Sequence, residues 1–582
     1  MSANKTNFTR RDFLKASAVT LGGAALASCG KGEQAVQLAA TIIPPPAVMP
    51  PPSMSAGEFA DTILVDGNLI TMDTNLPSAQ ALAIKKGRIL QLGTDDTIRG
   101  LAGESTQVID LSGMTATPGL IDAHNHLQVW SNMLQNFTPL IPPEVKTLDD
   151  LLARFKESVA NVKAGDWVQG YFWVIDPLPT RSELDPISPD NPVWILQQGG
   201  HYGCTNSKGL EIAGITRDTK DPEGSVIARD ENGEPTGVLY NHKAMDLLRA
   251  YAPQPTIEDY IQGMRYSEEL MAAGGVTTYH DCNARFAPLE SYMQAGREKR
   301  TLLRSEIFYT LEWPADLDRA LNEIPYYSDE FIRFAGYKFL IDGQFPTWYT
   351  HEPHPGIRWN MPTWDKRMFK KTIKTLHKTG LQISVHCGGD AAVDLTLEAY
   401  EDAMNSDPRP DPRHRIEHAS LTKPHATKKA ADLGVIISCQ PQFLRFSPGI
   451  SQKLGEERAG RIIVTREWLD AGITLALGSD TPSSPWHQPQ ATLMGAVTRL
   501  GPDDKSYHPE QAMTIQEALY AHSMGSAKAA FEENVKGSLT PGKYADITVW
   551  DNDFITIDPM SIGDVVATLT MVGGKVVYQL TT

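Results

Sequence analysis

The chain has 582 residues, 41% of them hydrophobic, with 70 acidic against 53 basic residues and a formal net charge of −17. That length carries a large buried core. The acidic balance excludes nucleic acid as the main partner, so a small-molecule substrate is expected, with self-association left open. Five cysteines (Cys29, Cys204, Cys282, Cys387 and Cys439) lie far apart without a C-x-x-C pair. A zinc ribbon is therefore not expected, and the four after Cys29 read as buried free thiols.

The first segment, 1–29, reads as an address. Thr9-Arg10-Arg11-Asp12-Phe13-Leu14-Lys15 is a twin-arginine signal, and the Gly/Ala-rich run from Ala16 to Ala27 is too short to span a membrane. It ends in Leu26-Ala27-Ser28-Cys29-Gly30, a lipobox in which Cys29 is the lipidation site; the alternative is an ordinary small-residue cleavage site. Export by the twin-arginine route to a periplasmic or membrane-anchored lipoprotein follows, with membrane contact only through that lipid. Residues 30–57, holding Pro44–Pro46 and Pro50–Pro52, suit a stiff linker.

From Ala60 onward short strands alternate with Asp-Gly and Lys-Gly turns: Thr62–Val65, Leu69–Met72, Ala81–Ile84 and Gly87–Gly93. The C-terminus repeats the style at Ile547–Trp550 and Leu569–Tyr578. Two β-rich ends predict one small β-sandwich built from both termini, 58–116 with 530–582. Between them, 117–529 alternates apolar strands with helical patterns. This is the signature of an α/β chain, here a (β/α)8 TIM-type barrel with inserted loops around 130–260. Strands are predicted at Thr115–Ile121, Val193–Gln197, Val276–His280, Tyr337–Ile341, Leu381–His386, Arg415–His418, Val435–Cys439 and Thr474–Gly478.

Metal-binding residue types sit at the C-terminal ends of these strands, where a barrel keeps its active site. Thr117-Pro118-Gly119-Leu120-Ile121-Asp122 rises to His124-Asn125-His126, and alternate residues of an extended strand face one way, so both imidazoles can meet one metal. Ile383–His386 and Arg415–His418 each end in one histidine, and Leu475–Asp480 ends in a carboxylate able to bind a metal and accept a proton from water. Four imidazoles and a carboxylate suit zinc, with manganese, iron and nickel left open. Two close cations need an anionic bridge; Lys338 supplies one if carbamylated, whereas a plain lysine would pair with Asp342. Aromatic residues at the predicted mouth (Trp130, Phe172, Trp173, Trp348, Tyr349 and Trp486) fit an apolar pocket or the core of the loops.

Together these motifs resemble the amidohydrolase superfamily, specifically the amidohydrolase family 3 branch that includes N-substituted formamide deformylases. The likeness runs from about Asp61 to the end and takes in Gly200-His201, Asn206-Ser207-Lys208, Gln440-Pro441-Gln442-Phe443 and Gly537–Asp546. The resemblance implies that His124 and His126 bind one of two divalent ions and that His386 and His418 bind the other. It further implies that carbamylated Lys338 bridges them, that Asp480 is a metal ligand and the catalytic proton shuttle, and that His201 lies near substrate. It implies hydrolysis of a non-peptide carbon–nitrogen bond through a metal-bridging hydroxide. The alternatives are ester, lactone or phosphoester hydrolysis on the same site, and a non-catalytic binding or regulatory lipoprotein. Two departures bear on substrate: Gln344–Tyr349 replaces a small, Ser-rich run, and Ala391 stands where a basic residue is usual.

Overall fold

The computed structural model describes residues 47–55, 57–172, 177–197, 199–324, 327–345, 347–353 and 360–581. The leader, with its twin-arginine motif and Cys29, lies outside the described residues, as does most of the linker. None of the described helices is long and apolar enough to cross a membrane.

Eight parallel strands form the central sheet: β1 (Leu120–Asn125), β2 (Val276–Ala284), β3 (Arg304–Leu311), β4 (Ile332–Leu340), β5 (Gln382–Cys387), β6 (Arg415–His418), β7 (Ile436–Cys439) and β8 (Leu475–Leu477). They neighbour one another in chain order, the topology of a (β/α)8 barrel. The sheet's edges meet just beyond β8, where the Asp480 amide donates to His124 O at 2.7 Å and the His126 amide to Thr481 O at 2.8 Å. Closure needs a residue without a side chain there, since a Cβ on Gly478 would lie 2.5 Å from His124 N.

Period-two alternation builds the wall. In β5, Ile383 and Val385 join the apolar core, while Ser384 and His386 take the other face. The helix Lys366–His377 packs outside: Asp365 caps it by accepting from Met368 N, and its buried Phe369, Thr372, Ile373 and Leu376 form one helical stripe. Phe369 meets Phe339 of β4 edge-on at 5.7 Å. Truncating so buried a ring costs about 3–5 kcal/mol.

Both termini build the small β domain. Ile547–Trp550 pairs antiparallel with Thr115–Pro118 in a six-stranded sheet. A four-stranded sheet holding Thr62–Val65 and Ala81–Lys85 shares its core, with Leu64, Leu82 and Ile84 packed among Leu69, Ile547 and Met571. The last hairpin turns at Gly573-Gly574, both at positive φ (55° and 76°), as a two-residue turn of this hand demands.

Three expectations are corrected. Val193–Gln197 is not a barrel strand: it lies in a separate six-stranded sheet with Thr138–Leu140, Val168–Phe172, Tyr202–Cys204, Val226–Arg229 and Pro235–Tyr240. The segment around 130–260 is thus a folded layer with its own buried clusters rather than loops. Its place in the barrel belongs to β3, which sequence reasoning missed. Finally, Thr115–Ile121 is two strands, Thr115–Pro118 in the small domain and β1 in the barrel.

Candidate active site

At the C-terminal pole β1 delivers His124 and, one residue past its end, His126; β4 delivers Lys338, β5 His386, β6 His418 and the segment after β8 Asp480, and all six line one small cavity. The imidazoles touch in sequence. Ring centroids lie 5.1 Å apart for His124 and His126, 4.7 Å for His124 and His418, and 4.5 Å for His386 and His418. Asp480 Oδ1 is 3.0 Å from His126 Nε2 and 3.4 Å from His124 Nε2. Simple alternation in β6 would send His418 away from its neighbour Glu417, yet both reach the site. His418 does so at φ +69°, and Asp480 sits at +54°, a backbone region most side chains avoid.

Every one of three imidazoles is held by one nitrogen. Glu417 Oε2 lies 2.5 Å from His124 Nδ1, Asp342 Oδ1 2.9 Å from His386 Nδ1, and Gln440 Oε1 2.6 Å from His418 Nδ1. An acceptor on Nδ1 fixes the proton there and leaves Nε2 as a lone pair, the arrangement metal ligands use. The acceptors are themselves anchored. Glu417 takes hydrogen bonds from Arg415 Nε and Ser384 Oγ, both at 2.7 Å. Asp342 accepts from the Gly388, Gly389 and Tyr349 amides.

Lys338 is 1% exposed, and its Nζ has no hydrogen-bond partner. The pairing with Asp342 does not form, because that carboxylate is occupied as described. Burial pushes the Lys338 ammonium down, and burial likewise drives His386 and His418 well below the usual imidazole range. Neutral His386 and His418 and an unpaired amine around one carboxylate make a cluster of electron-pair donors. Ligand atoms of His124, His418 and Asp480 all lie within 4.8 Å of one another, a donor set that fits divalent metal.

His201 comes from the inserted layer, between its strands Val193–Gln197 and Tyr202–Cys204. Its ring is 5.2 Å from His386, and its buried Nδ1 has no partner. A cleft of about 380 Å³ opens from His201, His386, His418 and Asp480 toward Phe345, Trp348 and Ile463. Of the six aromatics expected at the mouth, only Trp348 lines this cleft among the described residues; Phe172 is core of the inserted layer, Trp486 lines a different cleft, and Trp173 lies outside the described residues.

Sequence reasoning missed His242, which lines the ligand cavity beside His201 at 5.6 Å between rings. The available signal was the one used elsewhere: an apolar strand, Pro235–Tyr240, ending in Asn-His. It also left Glu417 and Gln440 without roles and offered Asp342 only as a partner for Lys338, although each lies inside one of the motifs.

Residues 107–578 match the family model described as the amidohydrolase family. The chain is 32% identical to the protein LONG AFTER FAR-RED 3 of Arabidopsis thaliana, over 90% of this chain and 92% of that one. It is 28% identical to the N-substituted formamide deformylase of Arthrobacter pascens, over 90% and 99%. Among solved structures, an uncharacterized metal-dependent hydrolase from Pyrococcus furiosus superposes with a TM-score of 0.67 at 26% identity, over 85% of this chain and all of that one. The chain belongs to the amidohydrolase family and is a metal-dependent hydrolase.

Proposed function

We propose that the protein hydrolyses a non-peptide carbon–nitrogen bond with two divalent ions, zinc in the simplest case. His124 and His126 would hold one ion, His386 and His418 the other, with Asp480 on the first and Lys338 shared. The observation that carries this is the buried, partnerless Lys338 amine among imidazoles whose opposite nitrogens are tied back. A neutral amine there can add CO2 and lose one proton to become a carbamate, giving two oxygens and the negative charge that two cations need. When bound, the ions supply a nucleophilic water at neutral pH and an electrophilic contact for the carbonyl oxygen. Asp480 accepts the proton of the attacking water on its carboxylate and returns it to the departing nitrogen. His201 hydrogen-bonds the substrate from the inserted layer, and the Phe345–Trp348 wall keeps bulk water away. Similarity to an N-substituted formamide deformylase supports the choice of bond.

Protein prepared with zinc should carry about two equivalents by mass spectrometry, and His124→Ala clearly fewer. Asp480→Asn, which keeps an oxygen ligand but cannot carry the proton, should retain most of the metal while kcat on an amide panel falls by on the order of 10³. Preference for a parallel ester panel would overturn the choice of bond. The leader supports export by the twin-arginine route to a periplasmic or lipid-anchored enzyme. Replacing Arg10 and Arg11 by lysine should trap the protein in the cytoplasm, and unimpaired export would remove that placement.

A further inference from the structure

The ligand cavity adjoins two larger ones. On one side it shares His201, His386, His418 and Asp480 with the apolar cleft. On the other it shares Val129 and Asn283 with a second chamber of about 230 Å³ between the barrel and the inserted layer. That chamber has a different chemistry. Gln128, Gln169 and Gln254 contribute amides, Arg249 and Arg285 contribute guanidinium groups, and no acidic residue lines it among the described residues.

The two arginines are not equivalent. Arg285 is paired twice: Nη1 is 3.1 Å from Asp246 Oδ1, and Nη2 bonds Glu312 Oε2. Glu312 also meets His242 Nδ1 at 2.9 Å. Arg249 has only the other approach to Asp246, its Nη2 2.7 Å from the same Oδ1 but not aligned as a hydrogen bond, and its Nε has no partner. Burial, with Arg285 beside it, lowers the Arg249 proton affinity, while Asp246 and Glu312 oppose the shift. The Arg249 side chain nonetheless keeps 31% of its surface exposed, and a partly open guanidinium on a wall without an acidic residue is a seat for a carboxylate.

Direction follows from Asp480, which lines the ligand cavity and the apolar cleft but not the chamber. On the reading of amide hydrolysis given above, the nitrogen that receives the proton sits nearest Asp480. The amine arm then extends into the apolar cleft and the acyl arm past Val129 and Asn283. We infer that the chamber is an acyl subsite and that the substrates are amides with an apolar amine arm and an acyl arm ending in a carboxylate, seated on Arg249.

The test compares two chromogenic anilides of one length on metal-loaded protein, N-succinyl-4-nitroaniline and N-butyryl-4-nitroaniline. The succinyl compound should have the higher kcat/KM by about tenfold or more. Arg249→Met should collapse that ratio, mainly through KM, and Arg249→Lys should keep part of it. A folding defect would lower both rates and leave the ratio unmoved. Turnover of both anilides with a ratio indifferent to Arg249 would overturn the subsite and leave amide hydrolysis standing. If neither anilide is cleaved, calorimetric titration with the succinyl compound decides. Binding that Arg249→Met abolishes upholds the chamber while amide hydrolysis falls; equal or absent binding overturns the chamber.

Discussion

The two poles of the barrel handle buried charge in opposite ways. At the N-terminal pole each strand-borne charge meets its opposite. Arg304 Nε is 2.8 Å from Asp546, Arg333 Nε is 2.6 Å from Glu306, and Lys536 reaches both Glu306 (3.6 Å) and Glu532. At the C-terminal pole, Lys338 Nζ, His124 Nε2 and His126 Nδ1 are buried without hydrogen-bond partners. Leaving a buried polar atom unpaired costs about 1–3 kcal/mol, more for a charge. The second pole pairs its carboxylates too, Glu417 with Arg415 and Asp342 with three amides; leaving these nitrogens unpaired beside them marks an end built around something it binds. The lesson concerns where stability and function are stored: satisfied charges close the barrel, and unsatisfied ones mark its chemistry.

A crossed pair of substitutions can break this contrast. Lys338→Met should lower kcat by on the order of 10³ and reduce bound metal, while the apparent melting temperature of the metal-free protein holds or rises, because a buried amine without a partner is exchanged for an apolar chain. Arg333→Met should do the reverse. It strips Glu306 of its nearest partner, costs about 3–5 kcal/mol and lowers the melting temperature, yet metal per folded chain stays near wild type. If both variants lose stability alike, the poles do not differ as described. A smaller effect sharpens the picture. Gln440→Leu removes the acceptor on His418 Nδ1 and should weaken metal binding by about 10–100-fold, read by competition with a chromophoric chelator.

The same contrast decides what the sequence could reveal. The C-terminal pole was legible because its ligands interrupt apolar runs only at their ends, as in Ile383–His386 and Leu475–Asp480. β3 was illegible because its paired charges Arg304 and Glu306 stand at its start, and Arg333 likewise hid the first residues of β4. Val193–Gln197 was correctly read as a strand and assigned to the wrong sheet, since an apolar run reports burial and not its neighbours. The orienting partners were harder still. Glu417 reaches His124 across 293 positions of chain, and no local pattern encodes a contact made by barrel closure.

The surface supplies the control between the poles, and its effect should be the smallest. Arg466 pairs with Glu517, with Nη1 2.9 Å from Oε1 and Nη2 2.5 Å from Oε2, and this partner holds the Glu517 carboxyl down at about 2. Its folded affinity for protons lies below the unfolded value, so the pair stabilises the fold above about pH 4.5 and loses that contribution as pH falls toward about 2. With the Glu517 side chain 33% exposed, solvent screening limits the gain to less than about 1 kcal/mol. Glu517→Gln tests it without disturbing the helix start, because glutamine can still close the capping box with Thr514. The denaturation midpoints of parent and variant should differ slightly at pH 6 and converge toward pH 3. A gap that stays constant across that window would show that the charge contributes nothing and that packing or capping carries the difference. A gap as large as that of Arg333→Met would erase the distinction between a wetted pair and a buried one on which the contrast of the poles depends.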